Sequence, residues 1–152
     1  MHIAIKNSII DISSEETTRE LAKNFSNYLK GGEIIFLYGE MGVGKTTFTK
    51  YLINQYHKKN KLNLIEVTSP TFSILNEYKI KKITINHYDL YRLKSSEELK
   101  NLNLFEDRLT KITLIEWPQI IEKKPKNLIE LMFKYDEDYK KRFVSIKGLK
   151  IK

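Results

Sequence analysis

The chain has 152 residues, 41% hydrophobic and 30% charged, the balance of one globular domain large enough for a real core. It has no cysteine and three scattered histidines, which excludes disulfides, thiolate chemistry and Cys-based zinc sites and speaks against a His-based metal cluster. The net charge of +8 permits a nucleic-acid partner, yet only four of the 27 basic residues are arginines, and the lysines spread through turn-like clusters such as Lys79 to Lys82 and Lys123 to Lys126.

In chain order, Ile3, Ile5, Ile9, Ile10 and Ile12 predict a short opening strand. Lys6, Asn7 and Asp11 interrupt its apolar character, and no small-residue cleavage site follows, so a signal peptide is not expected. No apolar run reaches membrane-spanning length, and the expected location is the cytoplasm. Ser13 and Glu16 have the spacing of a capping box and predict a helix carrying Leu21, Ala22, Phe25, Tyr28 and Leu29, stopped by Gly31-Gly32.

The next strand, Ile34 to Tyr38, ends at Gly39-Glu40-Met41-Gly42-Val43-Gly44-Lys45-Thr46, which matches GxxxxGKT. This is the phosphate-binding P-loop. Glycines allow positive φ, so backbone N–H groups curl around a phosphate. Lys45 reaches the β and γ phosphates, and the Thr46 hydroxyl ligates magnesium. A helix follows, with apolar residues at 48, 51 and 52.

Leu64 to Val67 predicts a further strand leading into the loop Thr68-Ser69-Pro70-Thr71-Phe72, which lies where many P-loop proteins place a segment sensing the γ-phosphate. Residues 73 to 78 and 83 to 89 predict an antiparallel hairpin. Ser95 and Glu98 repeat the capping-box spacing before a helical stretch over 96 to 109. Ile112 to Ile115 reads as a buried strand, and residues 127 to 135 and 142 to 149 as a C-terminal hairpin around Asp136-Glu137-Asp138. The fold expected is a single α/β domain over 1–152, a P-loop NTPase three-layer sandwich whose mixed sheet has a parallel core and antiparallel hairpins.

Hydrolysis or transfer also requires acids that hold magnesium and orient the attacking group. Glu116 ends the strand 112–115 and Asp89 ends the strand 83–88, so both are candidates, in either role. Asn60-Lys61-Leu62-Asn63 lacks the acid of the guanine-binding N-K-x-D segment, which favours ATP over GTP. A small-molecule kinase, with Asp89 as base for an acceptor hydroxyl, is the alternative reading. It is weakened because Arg19, Arg92, Arg108 and Arg142 are too scattered for an arginine-rich lid. A nucleotide-gated RNA-binding module is a third.

Gly39 to Thr47 (GEMGVGKTT), Ser69-Pro70-Thr71-Phe72, His87-Tyr88-Asp89-Leu90-Tyr91-Arg92-Leu93, Glu97-Glu98-Leu99 and Ile115-Glu116-Trp117-Pro118 together resemble the TsaE (YjeE) family from about residue 13 onward. These are small bacterial P-loop ATPases required for N6-threonylcarbamoyl-adenosine at position 37 of tRNAs. Met41 stands where the family often has leucine, a volume-conserving exchange. The resemblance implies that the 39–47 backbone (Gly39, Glu40, Met41, Gly42, Val43, Gly44, Lys45, Thr46 and Thr47) holds ATP. It also implies that Thr46, Glu116 and Asp89 serve Mg2+ and the attacking water, and that Thr71 is a switch closing over the γ-phosphate. Trp117 is similar to a tryptophan beside the family's nucleotide site. Glu15, Thr17 and Thr18 lie where the family's first helix approaches the adenine end, and Arg142 is placed to face the nucleotide. The implied partners are TsaB and TsaD, with tRNA met through the complex and the chain alone a monomer or weak dimer. No arginine finger is evident in cis, so isolated ATPase activity is expected to be slow.

Overall fold

The computed structural model describes residues 9–106 and 108–149. Among the described residues seven strands form one sheet: β1 (Ile9–Asp11), β2 (Ile34–Tyr38), β3 (Leu75–Ile80), β4 (Ile83–Asp89), β5 (Lys111–Glu116), β6 (Leu128–Tyr135) and β7 (Arg142–Lys147), in the spatial order β1-β7-β6-β2-β5-β4-β3. β6, β2, β5 and β4 run parallel, and β1, β7 and β3 are antiparallel additions. Parallel strands are covered on both faces, so they read as continuous apolar runs; β2 does so, and β5 does over Ile112 to Ile115 apart from Thr113. Both expected hairpins are present. Of the opening strand, Ile9 to Asp11 is observed, while Ile3 and Ile5 lie outside the described residues.

Helices α1 (Glu15–Ser26) and α2 (Lys45–Lys59) pack together on one face. Their core meets Ile35, Leu37, Leu114 and Leu131 of the sheet, with Phe25 and Phe48 edge-to-face at 5.6 Å. Ile34, Phe36, Tyr88 and Ile115 point to the other face, where Leu90 and Leu104 cover them. The three expected layers are thus present, but the third consists of 3-10 turns and loops.

Four local expectations are corrected. The cap of α1 is Ser14, whose hydroxyl accepts from Thr17 N at 3.1 Å. Ser13 instead accepts from Arg142 N at 2.9 Å, tying the α1 entrance to β7. The helix then ends at Ser26, before Gly31-Gly32, and Tyr28 and Leu29 follow it. Residues 64–67 form no strand; the Asn54 side chain accepts from Ile65 N at 2.8 Å and donates to Ile65 O at 2.9 Å, replacing a ladder partner. The stretch 96–109 is not one α-helix. Ser96–Leu102 is a 3-10 turn ended by Asn103 at φ 51, Ser95 makes no side-chain cap, and Arg108–Thr110 is a separate short turn.

Candidate active site

The C-terminal ends of the parallel strands meet the N-terminus of α2, and every element that matters chemically arrives there. Gly44 caps α2 at φ 118, a conformation costly for residues with a Cβ. Gly39 has φ 149, and a Cβ there would lie 2.8 Å from Val43 Cγ1 and 2.9 Å from the Phe133 carbonyl. The loop is therefore pressed against β6 at a point where only glycine fits.

Lys45 is 4% exposed; its Nζ donates to Gly39 O at 2.6 Å and lies 3.8 Å from the Trp117 ring centroid. Burial pushes its ammonium down, while Glu116 and Asp89 pull it back up. Trp117 is half-buried, in ring contact with Tyr91 at 4.9 Å, and holds φ 57. That backbone strain costs about 1–3 kcal/mol and is characteristic of functional sites. Trp117 is thus a wall of the site, not a member of either core cluster.

Asp89 and Glu116 are register partners on neighbouring strands, each 3% exposed, so neither is an ordinary solvated strand end. Their partners differ. Asp89 Oδ1 accepts from Tyr91 N at 2.9 Å, and its Oδ2 accepts from Thr71 Oγ1 at 3.0 Å and more weakly from Ser69 Oγ at 3.5 Å. Glu116 Oε2 is 2.7 Å from His87 Nε2, inside the protein.

Gly42, Gly44, Lys45, Thr46, Thr47, Met41, Ser69, Thr71, Asp89, Glu116 and Trp117 line one cavity of about 300 Å³. Its two carboxylates and one ammonium leave excess negative charge beside the Thr46 hydroxyl. These hard oxygen donors fit Mg2+, which is typically held by one or two carboxylates and substrate phosphates. Among the described residues, no group of three or more His, Cys, Asp or Glu is arranged to hold a metal ion.

A second cavity of about 370 Å³ adjoins the first and shares Gly44 and Thr47 with it. Glu15, Thr18 and Arg142 line it, beside Val43, Tyr139 and Lys140, so two of the three residues expected at the adenine end meet there with Arg142, expected to face the nucleotide. Glu15 Oε1 accepts from Tyr51 OH at 2.8 Å, and Thr17 pairs with Ser14 rather than lining the cavity. Glu40 is exposed and lines neither cavity; Gly39 contributes its carbonyl to Lys45 from behind the loop. His87 and Ser69 were missed by sequence reasoning as site residues. His87 precedes Asp89 by two on a strand, so strand periodicity puts both on one face, a signal that was available.

The family model described as Threonylcarbamoyl adenosine biosynthesis protein TsaE matches residues 12–144. A Rickettsia bellii protein called tRNA threonylcarbamoyladenosine biosynthesis protein TsaE is 43% identical over 136 residues, 89% of this chain and 92% of that protein. A Nostoc protein of the same name is 32% identical over 134 residues, 85% of this chain and 79% of that one. Among solved structures, that of Bacillus subtilis YdiB superposes with a TM-score of 0.69 at 25% identity, covering 98% of this chain and 90% of that chain.

Proposed function

The chain belongs to the TsaE family, and we propose that it is a cytoplasmic, single-domain, Mg2+-dependent ATPase serving N6-threonylcarbamoyl-adenosine formation at position 37 of tRNA. On this reading it acts with TsaB- and TsaD-like partners and meets tRNA through their complex. The observation that carries the ATPase reading is the convergence of Lys45, Thr46, Thr71, Asp89 and Glu116 on one cavity at the end of the parallel sheet. The relatives' names support the pathway.

The P-loop amides and Lys45 hold the phosphates, and the 15-residue helix α2 directs its N-terminal dipole at them. Thr46 and Glu116 are the residues that would ligate Mg2+, which when bound neutralises charge developing on the phosphoryl oxygens. Asp89 shares the polar shell with Thr71 and orients the water side of the reaction. Because the 68–72 loop reaches Asp89 through hydroxyls, its closure over the γ-phosphate and the alignment of Asp89 are one event. Glu15, Thr18 and Arg142 take the base end.

No arginine among the described residues lines the phosphate cavity, which speaks against the kinase alternative and for a cation supplied by a partner. The test is ATP turnover with and without purified TsaB–TsaD. Stimulation of at least about 10-fold is expected, since an arginine supplied in trans is worth up to ~10³–10⁵. Lys45→Ala should abolish turnover in both conditions; near-normal hydrolysis by that variant would refute the site. Label appearing on an organic acceptor, rather than as free phosphate, would favour the kinase.

A further inference from the structure

His87 has no part in the mechanism above, yet it is fully buried and its Nε2 lies 2.7 Å from Glu116 Oε2. Strand geometry explains the contact. His87 sits beside Leu114 in the β4–β5 ladder, two residues before the Asp89–Glu116 pair, and side chains two apart share a face. The imidazole therefore lies one pleat below the carboxylates, between them and the apolar core.

We propose that His87 is a positioning residue that fixes the Glu116 carboxylate, holding Oε2 against β4 so that Oε1 is presented to the phosphate cavity. This rests on the ATPase reading of that cavity. Three observations carry it. First, among the described residues His87 makes the only side-chain hydrogen bond to Glu116, whereas Asp89 is held by three groups. Without His87 no side-chain hydrogen bond among the described residues would select one orientation of the Glu116 carboxylate.

Second, His87 Nδ1 is buried with no hydrogen-bond partner. A bare lone pair is the less costly state for such an atom than an orphaned N–H, so the proton sits on Nε2, where it is donated to Glu116. The unpartnered nitrogen also argues against a packing role. An aliphatic side chain would fill the same place without burying an unsatisfied polar atom.

Third, the two acids are anchored to different bodies. Asp89 is held partly by hydroxyls of the 68–72 loop, while Glu116 is held from within the sheet. A moving loop thus changes the surroundings of Asp89 and leaves Glu116 fixed. That division suits one acid that follows nucleotide state and one that keeps a constant ligand geometry. Ligating carboxylates are commonly held by such outer partners, whose loss costs about 10–100-fold in activity or metal affinity.

The test compares His87→Leu with His87→Gln, whose amide can still donate toward Glu116. His87→Leu is expected to lower kcat about 10–100-fold with KM for ATP within about twofold, and His87→Gln to recover most of the loss. Long-range proton–nitrogen NMR of the wild-type chain, histidine-labelled and free of nucleotide, is expected to show His87 as the Nε2-protonated tautomer. That measurement decides the matter if the leucine variant does not fold. Wild-type kcat in His87→Leu, a glutamine variant no better than leucine, or an Nδ1-protonated ring would each overturn the proposal. Lys45→Ala run alongside separates two failures. A fast His87→Leu beside a dead Lys45→Ala removes the positioning role alone, whereas hydrolysis surviving in Lys45→Ala removes the site reading.

Discussion

Thr71 meets Asp89, one of the two proposed catalytic acids, through a single oxygen, its hydroxyl 3.0 Å from Oδ2. A hydrogen bond to a charged group contributes about 1.5–3 kcal/mol. Thr71→Val keeps the shape and removes that bond, so single-turnover hydrolysis should slow by at least about 10-fold. ATP affinity, read by fluorescence of the lone Trp117, should hold within about twofold, and Thr71→Ser should keep most of the rate. Equal loss in the valine and serine variants would mean that the methyl, not the hydroxyl, matters. At this scale the site was partly legible. The P-loop is a local word, readable because its glycines, lysine and threonine act within eight positions. Asp89 and Glu116 were found singly as strand ends, but their pairing comes from β4–β5 register, which no local pattern encodes. Strand periodicity places His87 on the face of Asp89, but its contact with Glu116 exists only across two strands.

At the scale of elements, β2 and α2 declared themselves through apolar runs and the loop between them, and both hairpins through alternation about turn residues. The misreadings share a cause: a side chain from elsewhere supplied what the local pattern lacked. Ser13 looked like a cap, but β7 claimed its hydroxyl and the cap fell to Ser14. Residues 64–67 have strand-like composition, yet Asn54 of α2 already satisfies both backbone groups of Ile65. This pair makes Asn54 the brace of the segment that feeds the 68–72 loop. Asn54→Ala should destabilise the chain by about 1–3 kcal/mol in urea unfolding, because it removes two hydrogen bonds and strands two backbone groups. The added hydrogen exchange should concentrate in residues 62–68; exchange spread evenly over the sheet would show that the brace is not local.

At the scale of the whole molecule, the nucleotide is the proposed tie between the sheet's centre and its β7 side, since the two cavities meet at Gly44 and Thr47. Mg-ATP at 100 times its Kd should therefore stabilise the fold by about 2.7 kcal/mol, the mass-action value for one site. The thermal-unfolding midpoint should rise accordingly, and Lys45→Ala should show almost no rise; an equal shift in that variant would place binding elsewhere. The bond between Ser13 and Arg142 spans 129 positions, and this has a consequence for biosynthesis. Every lining residue of the phosphate cavity lies between Met41 and Trp117, but the neighbouring cavity needs Tyr139, Lys140 and Arg142 as well as Ile12, Ser13, Glu15 and Thr18. β2, which carries the P-loop, also lacks its β6 neighbour until residue 135 has been made. A ribosome-bound chain thus carries every lining residue of the first cavity before it carries those that complete the second. On the proposed reading, enclosure of a whole nucleotide must wait for Arg142, so the emerging polypeptide pairs β6 with β2 without help from the ligand.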